Sequence, residues 1–256
     1  MKINLGDIIP TSTLDWPGKV VMTIFMRGCP LKCPYCSNSQ FMEVEDDYEP
    51  ADIEKVKGEI DKAKDFIDGI VLSGGEPFMQ MGAVRELAKY AKSFGLLVGI
   101  QTNGMYPDRI KELNDEGSLD AVFLDVKAPL KQGPYLYASG YENGDEILQS
   151  ITRSIEICAR LRSEGKLVYY EARTTVLKDI ADMPEDVAGI AGSLGCCDSY
   201  VIQQGRPELA WEEKMKGTEA IPRNELLDLA RTLRARQGLN IKKLVVRTRE
   251  LGDETV

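Results

Sequence analysis

The chain predicts an α/β fold: a parallel barrel of about six βα units, left open or closed by one further strand. Three observations predict it. Short apolar runs alternate with amphipathic stretches along most of the 256 residues, which is the pattern of parallel strands joined by helices. No Pro-, Gly- or Ser-rich linker divides the chain, and no repeat appears beyond that alternation. The main chemical motifs fall just after apolar runs, where parallel barrels build their sites.

Taken in order, the first strand is Val20–Met26, an unbroken apolar run suited to burial on both faces. Gly69–Ser73, Leu96–Ile100, Ala121–Asp125, Leu167–Val176 and Tyr200–Gln203 follow. Helical patterns lie between them near 51–65, 79–94, 107–116, 145–163 and 184–194, several starting at Asp or Ser and stopping at Gly95, Gly165 or Gly195. A sixth helix near 222–237 and a last strand, Leu244–Val246, finish a single domain over 1–256, with its core barrel at about 18–205.

No stretch approaches the roughly 18 apolar residues that would cross a bilayer, and Asp7 stands where a signal peptide needs its apolar segment. The expectation is a cytoplasmic protein. A net charge of −9 argues against sequence-independent binding to nucleic acid, which needs a basic surface. One local exception is the run from Arg223 to Arg249, with eight basic residues against Glu225 and Asp228. A solvated helix face and a frayed tail explain it more simply than a docking patch.

The most informative segment is Cys29-Pro-Leu-Lys-Cys33-Pro-Tyr-Cys36, directly after the first strand. Three thiolates from one loop suit an iron–sulfur cubane, with three irons held and a fourth left open to a substrate. Zinc in a structural site wants four ligands in paired clips, and this chain has no histidine and no second Cys-x-x-Cys. The remaining thiols, Cys158, Cys196 and Cys197, are scattered. Cys196-Cys197 precedes a strand, which places it at the barrel end away from the cysteine loop as buried structural thiols.

Ser73-Gly74-Gly75-Glu76-Pro77 ends the second strand. A double glycine admits close approach of a ligand to the backbone, and the carboxylate beyond it is placed to hold an ammonium group. No Lys-Ser or Lys-Thr follows to make it a phosphate loop.

Cys-x3-Cys-x2-Cys with Tyr35 before the last Cys, followed one βα unit later by Gly-Gly-Glu-Pro, resembles the radical S-adenosylmethionine (SAM) superfamily. Within it the chain is similar to activating enzymes of glycyl-radical enzymes, most of all to those of anaerobic ribonucleoside-triphosphate reductase. Supporting residues are Thr11-Ser-Thr-Leu-Asp-Trp-Pro-Gly18, Gln101-Thr-Asn-Gly104, Asp125-Val-Lys127-Ala-Pro129 and Arg173-Thr-Thr175, within a resemblance running from about residue 8 to Gln204. It implies a partial (β/α)6, TIM-like barrel. Cys29, Cys33 and Cys36 would bind a [4Fe–4S] cluster chelated by SAM. Glu76, with Gly74 and Gly75, would hold the methionine ammonium. Thr102 and Asn103 would line the cofactor site, and Lys127 and Arg173 would approach its carboxylate or ribose. The partner would be a glycyl-radical enzyme, and flavodoxin or ferredoxin would supply electrons.

The chain also departs from the family pattern. Ser37 replaces a common His after the cluster cysteines, and Gln101 replaces the Asp that pairs with the equivalent of Asp125 around a monovalent cation. The neutral Gln101 puts that cation site in question. Asp15 and Trp16 stand where related activases present the partner's glycine loop, although Pro17-Gly18 is a turn signal in its own right. The stretch Gly133–Tyr137 with Tyr141 reads as a loop at the active end, covering substrate or merely exposed. Two other readings stay open: a radical SAM enzyme modifying a small molecule, peptide or RNA, and a non-catalytic iron–sulfur electron carrier. Zero histidine suits radical chemistry, in which cluster and cofactor do the hard step and the protein binds and orients.

Overall fold

A computed structural model describes residues 1–256. In chain order its elements are β1 (Lys2–Ile3), β2 (Leu5–Ser12), β3 (Val21–Met26), β4 (Ala51–Asp52), α1 (Ile53–Ala63), β5 (Gly69–Gly74), α2 (Met81–Ser93), β6 (Leu97–Thr102), α3 (Pro107–Asp115) and β7 (Ala121–Asp125). They continue with α4 (Gln132–Ser139), α5 (Gly144–Ser163), β8 (Tyr169–Val176), α6 (Pro184–Ser193), β9 (Cys197–Gln204), α7 (Glu213–Lys216), α8 (Arg223–Arg234), β10 (Ile241–Thr248) and β11 (Gly252–Thr255). Every strand and helix expected from the sequence is present, with ends shifted by a few residues.

Strands β3, β5, β6, β7, β8, β9 and β10 run parallel in that order, so β10 is a seventh parallel strand beyond the expected six. Antiparallel β2 and β11 lie at the two edges and do not pair with each other, which leaves the barrel open. Pro10 had hidden β2 from the sequence. As an edge strand hydrogen-bonded only to β3, β2 tolerates a residue with no N–H.

Helix placement follows the apolar spacing. In α1, Ile53, Val56, Ile60 and Ala63 face the sheet, and the Asp52 side chain caps the helix by accepting the Glu54 N–H. Gly133–Tyr137, expected as loop, lies within α4. Its Gly and Pro sit in the first turn, where helices accept them, and Tyr135 is fully buried while Tyr137 stays exposed. Nor is the basic C-terminal run a frayed tail. Arg223 pairs with Glu254, Arg231 with Asp228, Lys242 with Asp198, Arg247 with Asp253 and Arg249 with Glu208, which ties the last three elements together. Cys197 and Cys158 are buried, Cys196 half-buried, and all three are free thiols. No helix is long and apolar enough to cross a membrane.

The core divides in two. Sixty-three buried residues fill the layer around the sheet, whereas only Trp16, Val21, Val71, Ala121 and Phe123 form a separate apolar cluster. The alternation of each parallel strand places that small cluster inside the barrel. Trp16, expected to present a partner's loop, is buried and meets Phe123 edge-to-face at 5.6 Å. A Cβ at Gly99 would lie 3.0 Å from both rings, so this strand glycine makes room for the indole. Asp15 is likewise committed: its Oδ2 accepts the hydroxyls of Ser12 and Thr23 at 2.6 Å, and its Oδ1 accepts Gln101 Nε2 at 3.3 Å.

Trp16 therefore plugs the barrel. Trp16→Ala should cost about 3–5 kcal/mol in anaerobic urea denaturation of the protein alone. An unchanged midpoint would return Trp16 to a role at the surface.

Candidate functional site

The cysteine loop leaves β3 and is pinned from four directions. Cys29 N–H donates to Met42 O at 2.9 Å, and Lys32 N–H donates to Ser139 O in α4 at 3.0 Å. Cys36 N–H donates to Cys33 O at 3.0 Å, and the same carbonyl accepts the Trp211 indole N–H at 2.7 Å from a segment 178 residues away. From β5, Gly75 N–H donates to Met26 O at 2.8 Å and Glu76 N–H to Gly28 O at 2.7 Å.

That last pair explains the double glycine in different terms from those expected. A Cβ on Gly75 would lie 2.3 Å from Gly28 O, and one on Gly74, whose φ is +111°, would lie 2.3 Å from Met26 O. What approaches this backbone most closely is the chain's own cysteine loop.

Glu76 also differs from expectation. Its carboxylate, placed by the sequence against an ammonium, is fully buried and turned toward the chain itself. Oε2 accepts the Asn103 N–H at 2.8 Å, Oε1 accepts the Phe78 N–H at 3.1 Å, and the Thr102 hydroxyl reaches both oxygens at 3.0 Å. Burial pushes its pKa up to about 7, while these donors pull the other way. The strand ends, not the carboxylate, form the wall: Ser73, Gly74 and Gly75 line the cavity.

That cavity, about 280 Å³, brings together Cys29, Cys33, Cys36, Gly74, Gly75, Thr102, Asn103, Asp125, Lys127 and Arg173. Asp15, Trp16 and Glu76 lie outside its wall. Burial raises the Cys29 thiol to about 12 and the Cys33 thiol to about 11, so an incoming metal must displace their protons. Asn103 Nδ2 donates to Cys29 Sγ at 3.6 Å, the outer-shell contact that tunes a sulfur ligand. Lys127 is half-buried beside Asp125, with Nζ to Oδ2 at 3.4 Å. Burial opposes its charge, but Cys33, Asp125 and Tyr35 outweigh that and raise its pKa. Gln101, where a cation-binding Asp was looked for, is instead held between the Ser73 hydroxyl and Asp15.

Sequence reasoning missed the far wall, where Gln203, Gln204, Arg206, Arg247, Thr248 and Arg249 complete the cavity. The signal was available. These residues follow or end β9 and β10, the same strand-end position that marked the other motifs.

Residues 23–180 match the family profile of the Radical SAM superfamily. This chain belongs to the radical SAM superfamily. A Methanocaldococcus jannaschii protein named as a candidate glycyl-radical enzyme activating enzyme is 36% identical over 248 residues, covering 97% of each chain. The 7-carboxy-7-deazaguanine synthase of the same organism is 27% identical over 209 residues, covering 75% of this chain and 80% of its own. Among solved structures, Streptococcus suis SuiB bound to S-adenosylmethionine superposes with a TM-score of 0.62 at 15% identity, over 86% of this chain and 48% of that one. That likeness concerns the fold.

The superfamily implies a [4Fe–4S] cluster and SAM, and the cavity fits them. Three unpaired thiols from one loop share it, an amide N–H already serves one sulfur, and a buried Arg173 Nη2 has no partner. The thiols do not converge as a group that would hold a single ion. Ligands to three separate irons need no such convergence.

Two substitutions test how the site is braced. Gly75→Ala should cost about 1–3 kcal/mol and loosen the cysteine loop. Glu76→Gln keeps the shape but turns an NH2 toward one of two backbone donors whichever way the amide lies. A loss of about 1–3 kcal/mol is expected. Unchanged urea midpoints for both would mean that the loop does not depend on this turn.

Proposed function

We propose that this protein is a glycyl-radical enzyme activase: it installs a radical on a glycine Cα of a partner enzyme, with anaerobic ribonucleotide reductase the first candidate. The observation that carries this reading is end-to-end similarity to a relative named for that activity, spanning 97% of both chains. When bound, the cluster and SAM supply one-electron reductive cleavage to a 5′-deoxyadenosyl radical, with flavodoxin or ferredoxin as the proposed donor.

The chain's own residues bind, orient and exclude water. Cys29, Cys33 and Cys36 would ligate three irons. Gly74 and Gly75 would meet the amino-acid end of SAM, while Glu76 supports them by fixing Thr102 and Asn103. Asp125, Lys127 and Arg173 line the same cavity, where the two cations would meet its carboxylate or ribose. Asp125 keeps Lys127 as its neighbour, so the cation site of related activases is not proposed here. No proton transfer is required of a side chain.

A second reading, modification of a small molecule, is favoured by the similarity to 7-carboxy-7-deazaguanine synthase over 75% of this chain. The electron-carrier reading explains the cavity less well, since its lining extends from the cysteines to Arg249 at the opposite edge of the parallel strands.

The test is anaerobic: protein reconstituted with iron and sulfide, reduced, and mixed with SAM and anaerobic ribonucleotide reductase. A glycyl doublet by electron paramagnetic resonance, with 5′-deoxyadenosine, is the expected outcome. Cofactor cleavage without the doublet on this or another glycyl-radical enzyme would move the substrate elsewhere. Cys33→Ala should abolish cleavage while retaining the folded circular dichroism spectrum, because the ligand lies on a loop. Normal cleavage by that variant would overturn the ligand assignment.

A further inference from the structure

Asn103 is the one side chain that hydrogen-bonds a sulfur of the cysteine loop, with Nδ2 at 3.6 Å from Cys29 Sγ. Its other contacts settle which way the amide lies. Asn103 is 5% exposed, its backbone N–H donates to Glu76 Oε2 at 2.8 Å, and its Oδ1 accepts the Met105 N–H at 3.0 Å. With the oxygen engaged by a donor, the NH2 is what faces the sulfur. Glu76 is itself fixed at the other end, where its N–H donates to Gly28 O, next to Cys29, at 2.7 Å. A closed circuit of Gly28, Glu76, Asn103 and Cys29 results.

The loop's own sequence explains why this donor comes from outside it. Cys29 and Cys33 are each followed by a proline, Pro30 and Pro34, so neither adjoining peptide has an N–H to offer a sulfur. Leu31 N–H reaches the Cys29 sulfur and Asn38 N–H that of Cys36. Asn103, at the end of β6, adds a further donor to Cys29 alone.

We propose that Asn103 is a positioning residue that sets the reduction potential of the cluster through Cys29, with Glu76 holding it in place. The inference rests on the reading of Cys29 as a cluster ligand and is independent of the substrate. A one-electron reductant adds an electron and no proton to the cluster, and the added negative charge spreads onto the sulfurs. An N–H aimed at a sulfur stabilises the reduced form more than the oxidised one, which raises the potential and eases reduction. Glu76, turned away from the cavity, thereby acts on the ligand loop from two sides.

The potential is read on the reconstituted protein without SAM or partner, by anaerobic dye-mediated titration with dithionite and electron paramagnetic resonance of the reduced cluster. At a fixed applied potential, the ratio of reduced to oxidised cluster in Asn103→Leu and Asn103→Val should be about tenfold below that of the unaltered protein, a fall of about 59 mV for one electron. Thr102→Val removes a neighbouring hydroxyl that serves Glu76 but not the sulfur, and should leave the potential unchanged. An unaltered potential in the loaded Asn103 variants, or an equal fall in Thr102→Val, would overturn the proposal. So would failure of both Asn103 variants to take up iron, since the amide would then build the site rather than tune it. In the first two cases the cluster is itself visible in the spectrum and the ligand reading stands. An unaltered protein whose reduced spectrum shows no cluster would remove that reading, and the proposal with it.

Discussion

The contact on which the rest of the site depends is the edge where β5 meets the start of the cysteine loop. Two N–H groups of the Gly74–Glu76 turn bond the carbonyls of Met26 and Gly28 at 2.8 and 2.7 Å, at a distance that leaves no room for a Cβ. One turn further, the Glu76 side chain gathers Thr102 and Asn103 from the end of β6, and Asn103 returns to Cys29. Three successive strand ends are thereby linked by short polar contacts around a loop with no helix or strand of its own. In the proposed cluster site three ligands would have to hold their relative positions while the metal changes charge, and rigidity of this kind would replace the bulk of a secondary element.

The barrel interior is unusual in being polar above a small aromatic floor. Trp16 and Phe123 close the lower part, and around them lie the Thr23–Asp15–Gln101–Ser73 chain of hydrogen bonds and the buried Glu171 with its arginines. Buried polar groups add little net stability, but once satisfied they fix direction well. The aliphatic mass of the protein is packed outside the sheet, against the helices, leaving the inside free for a charged and directional surface.

The fold was legible because parallel strands buried on both faces leave continuous apolar runs, and Val21–Met26 and Ala121–Asp125 stand out at once. Elements that gain their order from neighbours were not. β2 looks broken by Pro10 until its edge position is known, and α4 looks like a loop until Tyr135 is seen to be buried. In the site, the cysteines and strand-end glycines were found by type and spacing, which say where a residue lies. They do not say which way its side chain turns. Glu76 and Trp16 therefore stood in the right neighbourhood but faced the protein itself. Arg206 and Arg247 carry no motif, and only the return of β9 and β10 to the barrel brings them to the cavity.

The bond from the Trp211 indole to the Cys33 carbonyl spans 178 residues and so has a consequence in time as well as space. The cysteine loop is among the first segments of the chain to be synthesised, yet this contact joins it to residues made after β9. The loop cannot reach its complete hydrogen-bonded form until most of the polypeptide has been translated and the sheet has closed far enough to bring the two ends together. Assembly of the proposed cluster would in this way be tied to completion of the barrel, and a truncated or stalled chain would present its three thiols on an unfinished loop.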